Sequence, residues 1–241
     1  MIEQDGFAIF DHDSRAARWV VAAQEAAADA ADDSEMKAHN LRHGNTWFVG
    51  VDVLPNEGDG SVAGVPLVGP WQSHVPDLPL HAAQVSIIYP GYPARDPDQS
   101  EANHRFRLDR MAAHVDGLLP EGPEKRRFAR EFHAYILGLP LNDVTAAPTV
   151  VWKGSHRIMQ AALRDAIGDK DPQEVDLTNA YHAARRVVFD SCEAVRLRAS
   201  PGQSFLIHRF ALHGTAPWDG GVDAGRMIAF FRPNTGIQGI G

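Results

Sequence analysis

The chain has 241 residues, of which 44% are hydrophobic and 22% are charged, a composition typical of a soluble globular protein. Its formal net charge of −8 disfavours binding to nucleic acid or to an anionic membrane, and no apolar run reaches the length of a membrane span. The N-terminus lacks the basic region of a secretory signal, and a single cysteine, Cys192, excludes an intramolecular disulfide. We therefore expect a cytoplasmic protein.

The N-terminal third predicts a layer of helix and strand. Residues 14–37 are rich in alanine and other helix formers, and Asp13 or Ser14 is placed to cap this helix. The β-branched and aromatic residues of TWFVGVDVL (46–54) predict a strand. Proline and glycine break the sequence over 55–82, which predicts long loops.

The remainder of the chain has the pattern of a β protein. QVSIIYP (84–90) predicts a strand, and GYPARDPDQSE (91–101) predicts an exposed link. Short strands separated by turns favour a sandwich, jelly roll or barrel. The predicted strands cover 104–109, 111–116, 131–137, 148–153, 194–199, 203–208, 210–215 and 226–232.

Two helices are predicted to interrupt these strands. The first, 155–168, begins with Ser155 as N-cap and ends at Gly168. The second, 176–192, has Asp176 or Thr178 as its candidate cap.

The fold class that follows is mainly β with flanking helices, with a double-stranded β-helix (jelly roll, cupin-like) core. We predict a single domain over 1–241. It comprises an N-terminal α+β layer over 1–80 and a core over 81–241, with a helical insertion at about 155–192.

The stretch RMAAHVDGLLPEG (110–122) contains the first candidate metal ligands. Residues i and i+2 of a strand point to the same face, so His114 and Asp116 can aim an imidazole and a carboxylate at one point. FLIHRFALHGTAPW (205–218) is an apolar strand pair that offers His213 as a third ligand. Two histidines and one carboxylate on one face of a metal, with open positions opposite, form the site of non-haem Fe(II) oxygenases.

A cationic residue suited to a cosubstrate carboxylate follows in GRMIAFFRP (225–233). Strand alternation places Arg226 on the same face as Ile228 and Phe230, so its guanidinium needs a partner in apolar surroundings. Arginine binds a carboxylate through two parallel hydrogen bonds, and 2-oxoglutarate has such a group at its far end.

These motifs together resemble the phytanoyl-CoA dioxygenase family of Fe(II)/2-oxoglutarate oxygenases. The resemblance spans roughly residues 81–233. The matching stretches are HVD (114–116), APTVVWKGSH (147–156), GQSFLIHRFALHGTAPW (202–218) and GRMIAFFRP (225–233).

The resemblance implies a role for each matching residue. His114, Asp116 and His213 become the iron ligands and catalytic residues, and Arg226 with Thr215 binds the cosubstrate carboxylate. The family motif PGSH has Lys153 in place of its proline here, so His156 is assigned a structural or supporting role only. The family's halogenases lack the carboxylate ligand, so the aspartate implies hydroxylation or a related oxidation. Insertions between core strands commonly cover the active-site mouth in this family, which implies that role for 155–192.

The function expected from these features is Fe(II)- and 2-oxoglutarate-dependent hydroxylation of a small molecule. The cofactors and cosubstrates are Fe(II), 2-oxoglutarate and O₂, with ascorbate as a supporting reductant, and the coproducts are succinate and CO₂. One alternative is a cupin-like protein that binds a metal or small molecule without redox turnover. Another is a Zn²⁺ hydrolase, although hydrolysis has no use for a second carboxylate anchor such as Arg226.

Other polar or aromatic residues are assigned ordinary structural roles. Packing or surface positions are favoured for His208 and Arg209, and a solvated surface for the basic segment EKRRFARE (124–131). Core packing is predicted for Phe132, Tyr135 and Trp152, and Cys192 is expected to be inert.

Overall fold

The computed structural model describes residues 2–235, so residues 1 and 236–241 of the predicted domain lie outside the described part. The strands of residues 2–235 are β1 Phe7–Phe10, β2 Leu41–Arg42, β3 Trp47–Gly50, β4 Gln84–Ile88, β5 Leu118–Glu121, β6 Arg126–Ala129, β7 Tyr135–Pro140, β8 Thr149–Trp152, β9 Ala194–Leu197, β10 Ser204–His208, β11 His213–Thr215 and β12 Arg226–Phe231. The helices are α1 Ile2–Asp5, α2 Ser14–Asp32, α3 Ser34–Asn40, α4 Glu101–Arg110, α5 Ser155–Ile167 and α6 Thr178–Ser191, with a 3₁₀ helix at Pro70–His74.

Two antiparallel sheets face each other. The larger has the strand order β1-β10-β7-β12-β4-β3-β2, and the smaller has the order β11-β8-β9. A separate hairpin pairs β5 with β6. The prediction of a mainly β protein with flanking helices and a double-stranded β-helix core is confirmed.

Apolar side chains fill the space between the sheets and cover their outer faces. Ile228 and Phe230 of β12 lie in the cluster between the sheets. Ala229 and Phe231 point the other way and pack against α2, where Trp19 is fully buried. β12 therefore alternates as the sequence predicts, and its Arg226 belongs to the inner face.

The N-terminal segment is part of the larger sheet as well as a layer on it. β1 pairs with β10 at one edge, and β3 pairs with β4 near the other. Asp13 caps α2 by accepting hydrogen bonds from the backbone of Arg15 and Ala16. The predicted helix over 14–37 ends earlier, at Asp32, and α3 begins at Ser34.

Two predicted strands, 104–109 and 111–116, are wrong. Residues 104–109 lie in α4. The hydroxyl of Ser100 caps this helix by accepting a hydrogen bond from the backbone N–H of Asn103, and the helix is rich in charged residues and has no buried side chain. Residues 111–116 form no strand, because Met111 and Ala112 have positive φ and break the extended conformation. The strand predicted over 131–137 is displaced to Tyr135–Pro140, and the other predicted strands are present with shortened ends. The strands β1, β2, β5 and β6 were not predicted.

The two helices of the insertion pack on the outer face of the smaller sheet. Met159 and Leu163 of α5 and Tyr181 of α6 share a cluster with Trp152 of β8. The cap assignment of Ser155 is wrong. Gly154 is the N-cap, and the Ser155 hydroxyl instead accepts a hydrogen bond from the backbone of Leu212. α5 stops at Gly168 as predicted.

The basic segment 124–131 forms part of the β5–β6 hairpin. Arg126 pairs with Glu124, and Arg130 pairs with Glu121, so these cations are neutralised locally. The prediction of a solvated surface therefore fits Arg126 and Arg130, whose ion pairs are exposed. It does not fit Arg127, whose guanidinium lies over the ring of Tyr181 with Nε buried. No helix in residues 2–235 is long and apolar enough to cross a membrane.

His208 is expected to make stability pH-dependent. Its Nδ1 accepts a hydrogen bond from the backbone of Phe210, which requires the neutral ring. Burial lowers the pKa of His208 to about 4, and the neighbouring His156 and Arg209 act in the same direction. Between pH 6.5 and 4 the unfolded chain binds more protons here than the folded protein, so the free energy of unfolding falls as the pH falls.

We predict that His208→Asn makes this fall shallower between pH 7 and pH 5, because the amide oxygen can accept the same hydrogen bond without titrating. Urea unfolding of both proteins across this range measures the slope, and the exposed His39→Asn is the control. Equal slopes in the parent and His208→Asn would contradict the assignment.

Candidate metal centre

His114 and His213 are brought together by a single antiparallel bridge. The backbone N–H of His114 donates to the carbonyl of His213 at 2.8 Å, and the reciprocal bond is 3.0 Å. β11 holds His213 from the other side through pairing with β8. The two imidazole centroids lie 4.6 Å apart, so the bridge places both rings at the same point between the sheets.

Both imidazoles have a fixed orientation. Nδ1 of His114 lies 3.0 Å from the carbonyl oxygen of Ala112, and Nδ1 of His213 lies 3.0 Å from that of Ala211. A carbonyl only accepts hydrogen bonds, so each Nδ1 carries the proton and donates it. This proton position leaves Nε2 of each ring facing the site, and Nε2 of a histidine in this tautomer is the atom that binds a metal.

Asp116 completes the cluster. Its Oδ1 lies 3.1 Å from Nε2 of His114 and 3.5 Å from Nε2 of His213. Burial alone would raise the pKa of Asp116, but the guanidinium of Arg232 and the two imidazoles hold it well below its usual value. The carboxylate is therefore charged and available as a ligand at neutral pH.

These three side chains fit a divalent transition metal. One ligand atom from each lies within 4.8 Å of the others. Nε2 of His213 is buried and has no hydrogen-bond partner among residues 2–235. A buried acceptor without a donor is costly, and a cation between the two imidazoles and the carboxylate satisfies it. Two nitrogens and one carboxylate oxygen are the donor set of a non-haem iron site.

Arg226 lies between the sheets, 3% exposed, at the start of β12. Its Nη1 lies 3.4 Å from the hydroxyl of Thr149, and its Nε and Nη2 are buried with no partner in the described chain. Burial lowers the pKa of Arg226 to about 10, while Tyr92 acts in the opposite direction. The guanidinium therefore stays charged at neutral pH and fits the carboxylate of a ligand.

Thr149, which sequence reasoning missed, lies between Arg226 and the metal centre: Arg226 contacts its hydroxyl but does not itself line the cavity that contains the three candidate ligands. Thr149 is the register partner of Thr215 across the β8–β11 pair, and both threonines line the same cavity as the three candidate ligands. The hydroxyl within hydrogen-bond distance of Arg226 is that of Thr149, whereas the resemblance implied Thr215. Thr149 shares its face with Val151 in the strand predicted over 148–153, and this two-residue spacing was the signal that could have shown Thr149 to be on the inner face.

The cavity that contains the metal centre has a volume of about 460 Å³. Its wall beyond the ligands, Gly214 and the two threonines comes from four regions: β3 and the residues after it, the approach to and start of β4, the segment before and the start of β7, and the end of β12 with the residues after it. The lining residues from these regions are Trp47, Val49, Val51, Asp52, His81, Gln84, Ser86, Glu131, His133, Ile136, Phe230, Arg232 and Asn234. Within the described chain, no lining residue comes from 155–192. A second, smaller pocket beside Asp116 is lined by Leu163, Ile167 and Leu177 of this insertion. That the insertion covers the mouth of the site therefore stays a prediction, and the apolar faces of its helices pack against the smaller sheet.

His156 does not take part in the candidate metal centre. Its Nε2 lies 3.2 Å from the carbonyl of Glu3, and its ring packs 4.8 Å from that of His208. The guanidinium of Arg209 lies over the ring of Phe210. These contacts agree with structural roles.

Gly214 permits the close approach on which the centre depends. A Cβ at this position would lie 2.2 Å from the carbonyl oxygen of Met111 and 3.3 Å from Cα of Ala113. Both atoms are backbone, so Gly214→Ala must push β11 away from the segment that carries His114. We expect metal affinity to fall at least about 10-fold, as measured by isothermal titration.

Gly221→Ala is the matched control for this prediction, because an added Cβ there meets nothing within 4 Å. Equal metal affinity in the two variants would show that the backbone approach at Gly214 does not set the ligand geometry.

Comparison with known proteins gives matches of fold only. No protein-family model matches the sequence, and a search of curated proteins finds no match. Among solved structures, the non-heme alpha ketoglutarate dependent carbocyclase SnoK from nogalamycin biosynthesis has a TM-score of 0.56 at 14% identity, covering 98% of this chain and 85% of its own. AviO1 from Streptomyces viridochromogenes Tue57 has a TM-score of 0.51 at 13% identity, covering 97% and 92%. The chain shares the fold of these proteins.

Proposed function

We propose that this chain is an Fe(II)- and 2-oxoglutarate-dependent dioxygenase similar to the phytanoyl-CoA dioxygenase family, and that it hydroxylates a small-molecule substrate. The observation that carries the proposal is the convergence of His114, Asp116 and His213, with the buried acceptor at Nε2 of His213. The buried, incompletely partnered guanidinium of Arg226 adds a site for a dicarboxylate. A hydrolase with the same ligands has no need of this second feature, and a binding protein without redox turnover would form no succinate.

Each residue has a defined task in this proposal. His114, Asp116 and His213 hold the iron, and their carbonyl and guanidinium partners fix the direction in which each ligand points. Iron with 2-oxoglutarate and O₂ supplies the oxidising equivalents for C–H hydroxylation, with succinate and CO₂ as coproducts. Arg226 binds the far carboxylate of the cosubstrate, and Thr149 or Thr215 supplies a hydroxyl to it.

The cavity supports a small polar substrate. Its lining combines apolar side chains such as Val49 and Phe230 with amide, hydroxyl and imidazole groups. About 460 Å³ accommodates the cosubstrate and a compact molecule, not a long chain. We therefore assign no acyl-CoA substrate. The description of SnoK as alpha ketoglutarate dependent agrees with the proposed cosubstrate.

The experiment that tests the function is succinate formation. The full-length protein, purified without oxygen, is given Fe(II), ascorbate, 2-oxoglutarate and air, with and without a pool of small metabolites. We expect succinate in the parent and none when EDTA removes the metal, or in His114→Ala. Metal binding without cosubstrate binding or succinate would overturn the proposal in favour of a cupin-like binding protein.

A further inference from the structure

One carboxylate oxygen of Asp116 already accepts a hydrogen bond from Arg232. Nε of Arg232 donates to its Oδ2 at 2.6 Å, while Oδ1 faces the two imidazoles at 3.1 and 3.5 Å. The two residues are 116 positions apart in the chain, and this contact joins the ligand segment to the end of β12. A carboxylate bound in this way turns a single oxygen towards the metal position.

We propose that Arg232 is a positioning residue that selects Oδ1 of Asp116 as the only metal-binding oxygen and so keeps the opposite coordination positions open. The inference rests on the proposed metal centre and adds a residue to it. Occupation of both carboxylate oxygens by the metal would use a position that the cosubstrate or O₂ requires.

The backbone on either side of Asp116 is held, but these bonds do not orient its carboxylate. His114 makes a β-bridge, and the carbonyl of Gly117 accepts a hydrogen bond from the backbone of Arg130 at 2.9 Å. The orientation of the carboxylate therefore depends on its side-chain partner. The side chains of Asp116 and Arg232 are only 12% and 20% exposed, so this ion pair is partly shielded from water and differs from a surface pair.

Arg232 is itself fixed by a polar frame from separate parts of the chain. Nη1 donates to the side-chain oxygen of Gln84 at 2.7 Å. Its backbone carbonyl lies 3.0 Å from Nε2 of His81 and 3.2 Å from Nδ1 of His133. The second nitrogen of each ring lies against a carboxylate, of Asp52 for His81 and of Glu131 for His133. Both the side chain and the backbone of Arg232 are therefore held.

Cobalt(II) is the probe that tests this role, because its visible absorption reports the number and type of ligands. We expect Arg232→Gln in the full-length protein to weaken Co(II) binding 10- to 100-fold and to change the absorption spectrum. Arg232→Lys restores the charge but not the fork of donors, so it should recover part of the affinity and leave the spectrum altered.

The matched control is Arg198→Gln, which removes an arginine–aspartate pair with Asp219. It is expected to lower the melting temperature without changing the Co(II) spectrum. The same result in Arg232→Gln, with affinity and spectrum of the parent, would show a structural role and overturn the inference.

If Arg232→Gln does not fold, Arg232→Lys provides the second test, because it keeps the positive charge beside Asp116 and removes the fork of donors. An altered Co(II) spectrum supports the inference, and the parent spectrum overturns it. The metal centre is judged separately with His114→Ala. If the parent binds Co(II) and His114→Ala does not, only the role of Arg232 is in question. If the parent binds no Co(II), both proposals fail.

Discussion

His213→Ala is expected to remove metal-dependent turnover, with succinate formation reduced by more than about 100-fold, because a directly coordinating group matters more than the outer groups that tune it. His213 is 5% exposed, and its backbone is held by both His114 and β8. Truncation should therefore remove a ligand while leaving the bridge intact. Fe(II) or Co(II) should raise the melting temperature of the parent and not that of the variant.

The control for this prediction is His208→Asn, which changes another partly buried histidine a few residues earlier in the chain. It should keep metal-induced stabilisation and turnover. A His213→Ala protein that still gains stability from the metal would show that the imidazole of His213 is a packing group, and the proposed iron site would be wrong.

The sequence was sufficient to predict the inner face of β12 and the three candidate ligands. Strand alternation puts Arg226 on the same face of β12 as Ile228 and Phe230, which lie between the sheets, because the opposite face packs against α2. The two histidines and the aspartate were recognisable because each stands among apolar or small residues where a polar side chain needs a reason.

The supporting residues were not predictable in the same way. In the sequence, Arg232 is an arginine at the end of a strand, with no sign of a partner. Its contact with Asp116 depends on the tertiary position of a segment 116 residues away. Thr149 becomes significant only through its register with Thr215. Local patterns report which face a residue occupies, whereas these contacts are set by how distant segments are arranged in space.

The prediction of strands at 104–116 failed for a related reason. Phe106 and Leu108 alternate with polar residues as they would in a strand, but the Ser100 cap and the charged neighbours favour α4. His114 and Asp116 still converge, although not through the strand geometry that predicted it. The turn at Met111 and Ala112 directs the segment to β11, and Gly214 allows it to approach.

Arg226→Met should have opposite effects on cosubstrate binding and on stability. The parent carries a buried guanidinium whose Nε and Nη2 have no partner in residues 2–235, and this charge is unfavourable without a ligand. We expect the KM for 2-oxoglutarate to rise about 100-fold or more, since a charge-assisted, two-pronged contact is lost. Metal content should stay that of the parent.

The free energy of unfolding of the ligand-free Arg226→Met protein should rise by about 1 to 3 kcal/mol, because an apolar side chain of similar length replaces an uncompensated charge. Chemical unfolding without cosubstrate measures this gain, and 2-oxoglutarate should then stabilise the parent alone. Thr149→Val and Thr215→Val separate the two hydroxyls, and the larger rise in KM is expected for Thr149, the nearer to the guanidinium. A variant that binds 2-oxoglutarate more weakly but is more stable would show that the charge of Arg226 is retained for binding. A less stable Arg226→Met protein with unchanged KM would show that Arg226 serves the fold.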